Sequence, residues 1–418
     1  MNMKEAGYKQ FALKLSRREM LRKGMAGLSL AGLSGTIMAP SLIGQAAHAA
    51  AASQTDEKIL VILELSGGND GLNTVVPYGD DAYYRHRPNI GLAKQELRVL
   101  DDHFGLNGGM AGFERLYKDG NMAIFHGCGY ENPSYSHFTS MAYWHTAAPN
   151  SGDKYGWVGR LAEEIAPDAP PNYLVNIAAS QSLAVRSAAH VPVVFDQPDR
   201  FTREAFYEER DELNRLAESG SHSNRSRAFL LNIARSAQDA SSLVRQAWEN
   251  YSSPIDYGVN SLDLPKVVSL IDAGMPTKIY YVSYRNNAFD THVFQNNIHR
   301  RLLTYTSDAV SAFMHDLERI GRADDVALMI FSEFGRRVPE NVNLGTDHGA
   351  ANNMFVIGKQ VKGGHYGELP SLTQLNAEDN LAYTTDFRSV YQTVINGWLG
   401  HKGSKDLLYG EFEPFQLF

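Results

Sequence analysis

The sequence predicts an α/β protein with a central, mostly parallel sheet sandwiched between helices and carrying a helical insertion. Three observations lead there. Short, continuous apolar runs read as strands buried on both faces. Stretches of helical periodicity lie between them, and polar residues able to carry chemistry gather just after the runs, where parallel strands place functional loops.

The first run, 58–65 (KILVILEL), ends in the tight Gly67-Gly68-Asn69-Asp70-Gly71 loop. A second, 121–126 (NMAIFH), leads through a glycine-rich turn into a helix-like stretch, 136–144. Runs at 277–284 (TKIYYVSY) and 325–331 (DVALMIF) are the third and fourth, and 354–357 is a shorter fifth. Residues 297–320 and 387–399 carry helical pattern. The charged segment 197–256 reads as helices broken at 220–224, an insertion or cap whose simplest role is a solvated pair packed on the sheet edge. Tyr83-Tyr84 through Arg87-Pro88 reads as packing and turn.

At the N-terminus, Ser16-Arg17-Arg18-Glu19-Met20-Leu21 precedes a weakly apolar stretch from Gly24 to Gly44 and an Ala47-His48-Ala49 cleavage pattern. Residues 1–49 therefore read as a twin-arginine signal peptide, leaving 50–418 as the mature domain in the periplasm or outside a bacterial cell. A membrane anchor is the alternative, but Gly, Ser and Pro40 make the stretch a poor span, and no later segment is apolar enough. The twin-arginine translocase carries folded proteins, which suits a metal inserted before export. The net charge of −8 includes seven basic and two acidic residues of this leader, so its removal leaves about −13. Such a surface disfavours nucleic acid and anionic membrane as partners. The single cysteine, Cys128, cannot form an internal disulfide.

Three C-terminal segments put acid or imidazole groups in turns: Phe289-Asp290-Thr291-His292, Ser332-Glu333-Phe334-Gly335-Arg336 and Gly345-Thr346-Asp347-His348-Gly349. Mixed carboxylate and imidazole sets of this kind suit Zn²⁺ or Mn²⁺. Asp70 follows the first strand, and Ser136 opens the helix after the second, where backbone N–H groups favour an anion. A serine there is either a nucleophile or simply a helix N-cap. His126 and His137 flank the same turn; each can ligate metal or act as an acid, though a lone histidine near a strand end is more often structural. Arg160, Arg336 and Arg388 can each hold a phosphate in a bidentate fork or brace a carboxylate.

This order of residues resembles the alkaline-phosphatase superfamily, shared by phosphatases, arylsulfatases and phosphomutases. Within it the chain looks like a bacterial family of twin-arginine-exported, sulfatase-like proteins of unknown function. The resemblance spans about residues 57–400 through Leu65-Ser66-Gly67-Gly68-Asn69-Asp70-Gly71-Leu72-Asn73, Ser136-His137-Phe138, Gly156-Trp157-Val158-Gly159-Arg160, the three C-terminal segments and Thr385-Asp386-Phe387-Arg388. It implies an alkaline-phosphatase-like fold and one or two divalent ions. One would be held by Asp70, Ser136 and Glu333, and a second by Asp290, His292 and His348, with Gln295 or His299 as substitutes. Phe334 stands where the superfamily usually has a ligating histidine. No cysteine or serine sits in the Cys-x-Pro-x-Arg context that a formylglycine sulfatase needs, so that activity is not expected.

The expected function is a metal-dependent hydrolase of phosphate or related esters. Ser136 is its nucleophile, Arg336 a catalytic group, and an anionic small-molecule or glycan ester its substrate. The alternatives are a phosphotransferase with the same site, or a non-catalytic envelope binding protein with a degraded metal site.

Overall fold

The computed structural model describes residues 58–167, 172–201, 240–376, 378–403 and 405–418. The expected leader, 1–49, lies outside them, and so does most of the 197–256 segment, of which 240–250 is helical. Strands of the central sheet are numbered here in chain order: β1 (Ile59–Leu65), β2 (Met122–Gly129), β3 (Leu174–Ile177), β4 (Val193–Phe195), β5 (Ile279–Tyr284), β6 (Val326–Phe331), β7 (Asn352–Ile357), β8 (Gly364–Tyr366) and β9 (Thr385–Asp386). The principal helices are α1 (Ala111–Lys118), α2 (His137–Thr146), α3 (Trp157–Ile165), α4 (Leu264–Asp272), α5 (Gln295–Arg319) and α6 (Phe387–Thr393).

The nine strands lie in the order β8-β2-β7-β6-β1-β5-β3-β4, with β9 paired to β2. Every pairing is parallel except those of β7, which runs antiparallel to both β2 and β6. The expected mostly parallel sheet between helices is therefore the architecture observed. β1 is buried along its whole length because its two faces meet different helix layers. Ile59, Val61, Leu63 and Leu65 share a core with α1, α4 and α5, whereas Leu60 and Ile62 pack with α3, α6 and the Trp144 end of α2. Each fully buried aliphatic side chain there contributes about 1.5–3 kcal/mol relative to exposure.

This packing fixes what emerges at the carboxyl edge. β6, β1 and β5 are adjacent and parallel, so the loops that follow them, beginning at Ser332, Ser66 and Arg285, leave side by side. The start of α2 is brought over these loops by its far end. There His145 Nε2 lies 2.6 Å from Glu64 Oε2 on β1 and 3.0 Å from the Tyr281 hydroxyl on β5. The Trp144 ring stacks 4.2 Å from Phe387 and 5.4 Å from Phe331. The segment 289–292, the loop 332–336 and the first turn of α2 thus meet over one patch of the sheet edge. Among the described residues no helix is long and apolar enough to cross a membrane.

Candidate metal centre

The approach of these loops depends on two glycines after β1. Gly67 has φ +118°, and a Cβ there would stand 2.6 Å from the Asp290 backbone nitrogen. Gly68 has φ +70°, and a Cβ there would meet the Phe334 ring at 2.1 Å. Only glycine combines the left-handed backbone with such close neighbours. With both in place, Asp290 reaches the β1 exit and Phe334 packs beneath the site.

Three histidines then turn toward Asp290. His137, the first residue of α2, approaches with Nε2 at 3.4 Å from Asp290 Oδ2. His292 and His348 bring their Nε2 atoms to 3.0 and 3.1 Å from Asp290 Oδ1, and these two nitrogens lie 3.0 Å apart. His137, Asp290 and His348 bring three ligand atoms within 4.8 Å of one another, and His292 meets Asp290 and His348 at 3.0 Å each. Phe334, 1% exposed, lies against the rings of His137 and His348 at 4.8 and 4.6 Å, so it forms an apolar floor rather than a ligand.

The opposite nitrogen of each ring has its own acceptor. His137 Nδ1 faces Glu333 Oε1 at 2.8 Å, His348 Nδ1 the Tyr135 carbonyl at 2.7 Å and His292 Nδ1 the Asp347 carboxylate at 3.2 Å. An acceptor at Nδ1 places the proton of a neutral imidazole there, so each Nε2 presents a lone pair. Three lone pairs and a carboxylate thus converge, and His137 Nε2 is buried with no hydrogen-bond partner. Arg336 offsets part of this convergence, at 2.7 Å from Asp290 Oδ1 and 3.4 Å from His292 Nε2, and a divalent cation would offset the rest. The three nitrogen-to-carboxylate distances and the His292–His348 distance, 3.0–3.4 Å, compare with about 3.3 Å between ligands placed tetrahedrally 2.0–2.1 Å from one ion. The donor set therefore fits a divalent metal, and the Nδ1 acceptors are the outer partners that orient ligating histidines.

The electrostatics favour cation binding at Asp290 and His348, whereas at His137 a metal would have to displace a proton. Burial would raise the Asp290 carboxyl, but the Arg336 guanidinium outweighs it and holds the group at about 2, so it is anionic at any working pH. Burial lowers His348 below the ordinary imidazole value even though the Tyr135 carbonyl opposes it. The hydrogen bond to Glu333 raises His137 against desolvation.

Of the residues expected at the site, Asp290, His292 and His348 come together as the second ligand set. The first set is differently engaged. Asp70 is fully buried, its Oδ2 2.7 Å from Arg87 Nη1 and taking a hydrogen bond from Gln295. Glu333, also fully buried, accepts from the Gly67 N–H and the Ser332 hydroxyl as well as from His137. Ser136 is exposed and caps α2, its Oγ 3.5 Å from the Thr139 nitrogen. The proposed substitutes are spoken for: Gln295 also joins Thr291 and Thr346, and His299 bonds Asn69. Arg160, Arg336 and Arg388 each brace a carboxylate, of Asp153, Asp290 and Asp386 respectively.

In the sequence His137 is one lone histidine among several. The signal that marks it is the acceptor at its Nδ1, which only the fold supplies. Glu333→Gln is accordingly expected to weaken metal binding about 10–100-fold, the usual cost of losing an outer-shell partner, with the helix content of the protein unchanged. Competition against a fluorescent zinc chelator, beside circular dichroism, measures both.

A family model described as a protein of unknown function, DUF1501, matches residues 270–396. No curated protein matches the chain. Similar solved structures include a protein in the alkaline phosphatase superfamily from Vibrio parahaemolyticus, 9% identical over 86% of this chain and 70% of that one, with TM-score 0.40. The lipoteichoic acid synthase LtaP from Listeria monocytogenes is 11% identical over 85% of this chain and 75% of its own, with TM-score 0.39. The phosphonate monoester hydrolase from Silicibacter pomeroyi is 8% identical over 87% and 76%, with TM-score 0.38. The stretch that the family model matches takes in Asp290, His292, Glu333, Arg336 and His348, while Asp70, Ser136 and His137 lie before it.

Proposed function

We propose that the chain is an exported, metal-dependent hydrolase of phosphoric or related esters. The observation that carries this reading is the convergence of three imidazole lone pairs on the Asp290 carboxylate. His137, His292, His348 and Asp290 would hold the ion, with Zn²⁺ or Mn²⁺ suited to this donor set. When bound, it would supply Lewis-acid polarisation of an ester oxygen. The engagement of Asp70 by Arg87 and of Glu333 by His137 favours one ion over two.

The chain's own residues supply the rest. Ser136 precedes the ligand His137, is exposed, and stands at the N-terminus of a ten-residue helix, where N–H groups favour a negative charge. In this reading Ser136 Oγ bonds to phosphorus, the ester alcohol departs with the serine's proton by way of solvent, and water then releases the phosphoryl group. Glu333 positions His137, and Arg336 positions Asp290. Substrates are anionic small-molecule or glycan esters, met in the periplasm or outside the cell after export by the twin-arginine translocase.

Ser136→Ala is expected to lower turnover on the order of 10³-fold or more, as removal of a nucleophile does, while metal content stays at the wild-type level. Natively exported protein tested for metal and against phosphomonoester, phosphodiester and sulfate-ester substrates decides the matter. Undiminished turnover in Ser136→Ala sinks the nucleophile. A wild type that retains metal yet turns over none of the panel points instead to an envelope binding protein.

A further inference from the structure

We infer that Arg337, not Arg336, binds the substrate's oxyanion, a phosphoryl or similarly charged group; the inference rests on the ester-hydrolase reading above. Three arginines are carried on or against the site loops, and two are committed. Arg87 spends its guanidinium on Asp70, Asn73 and the carbonyls of Val338 and Arg337. Arg336, 2% exposed, donates to the carbonyls of Gly67, Gly68, Phe289 and Thr346 and to Asp290, and its Nη1 faces His292. Arg336 has no donor left for a ligand, and Arg87, 1% exposed with four of its five N–H donors engaged, gives a ligand no approach.

Arg337 differs. Among the described residues its guanidinium makes no ion pair or side-chain hydrogen bond, and its Nε is buried without a partner. Its backbone is clamped on both sides, the N–H by the Asp347 carbonyl at 2.9 Å and the carbonyl by Arg87 Nη2 at 3.0 Å. The side chain is therefore free while its origin is fixed. Its charge acts on the Asp347 carboxylate, the group at His292 Nδ1, and on the Tyr135 phenol.

A half-buried guanidinium with no carboxylate of its own is costly unless something anionic meets it. Its planar fork matches the oxygens of a phosphoryl group. In the folded chain Arg336 thus holds the centre together, and its neighbour one residue on is left to take the ligand.

Calorimetric titration of the metal-replete, natively exported protein with inorganic phosphate tests this. Phosphate binding is expected to weaken roughly tenfold to a hundredfold in Arg337→Gln, and by less in Arg337→Lys, which keeps the charge without the fork. Metal content should be unchanged in both. Wild-type phosphate affinity in Arg337→Gln overturns the inference while leaving the ester-hydrolase reading intact, and so does loss of metal in that variant, which would make Arg337 a brace of the centre. If the glutamine variant does not fold, Arg337→Lys decides by the same comparison. A wild type that holds metal but binds no phosphate overturns both readings together.

Discussion

On the proposed function, Asp290→Ala is expected to abolish metal binding and, with it, ester hydrolysis. Asp290 is the only carboxylate among the converging donors, with imidazole nitrogens 3.0, 3.1 and 3.4 Å from its oxygens. Without it, three lone pairs remain with no anion to offset a divalent charge. The loss should exceed the 10–100-fold typical of an outer-shell change such as Glu333→Gln. The variant should also lose stability, because Arg336 is left buried without a counter-charge, but less than Asp70→Ala does: Asp290 is itself part-exposed, and Arg336 keeps its bonds to the carbonyls of Gly67, Gly68, Phe289 and Thr346. Asp290→Asn, which retains an acceptor for Arg336 but not the charge, should lose metal nearly as completely. Elemental analysis after dialysis, beside thermal unfolding, separates the two effects. Full metal content in Asp290→Ala would show that the histidines converge for another reason.

The central sheet was legible because β1, β5 and β6 are buried on both faces, and such strands read as unbroken apolar runs. β3, β4, β8 and β9 are two to four residues long, too short for any period to register. The reversed direction of β7 leaves no mark on composition, since a strand reads alike either way round. Asp290, His292 and His348 were legible as candidate ligands because they sit in polar turns between apolar segments. His137 was ambiguous for a physical reason. A histidine at a helix start takes its orientation from Glu333, 196 residues on, and that pairing exists only when β6 ends and α2 begins at the same edge. Arg87 was hidden in the same way. In Tyr83-Tyr84 through Arg87-Pro88 it looked like part of a turn, and only the fold shows that its charge is spent on Asp70.

That pairing sets up the largest stability effect. Asp70→Ala is expected to destabilise the protein by about 3–5 kcal/mol, because it leaves the Arg87 guanidinium buried without a counter-charge. Arg87 is 1% exposed and Asp70 not at all, at 2.7 Å, so water cannot replace the lost carboxylate. The same geometry fixes a pH dependence. Burial pushes the Asp70 carboxyl up, but Arg87 with His299 and Gln295 outweighs it and leaves the group below its ordinary 3.8. A depressed carboxyl contributes stability above its unfolded value and loses it as pH falls through the folded one. The wild type should therefore lose stability more steeply than Asp70→Ala as pH drops below about 4. Urea unfolding at pH 7 and at a series of acid values measures both. The outcome also separates two roles for Asp70. A residue that ligates metal would take bound metal with it when replaced, whereas one that neutralises Arg87 should cost folding free energy and leave the ion held by His137, Asp290, His292 and His348 in place. Metal retained in a destabilised Asp70→Ala would assign Asp70 to the scaffold under the site.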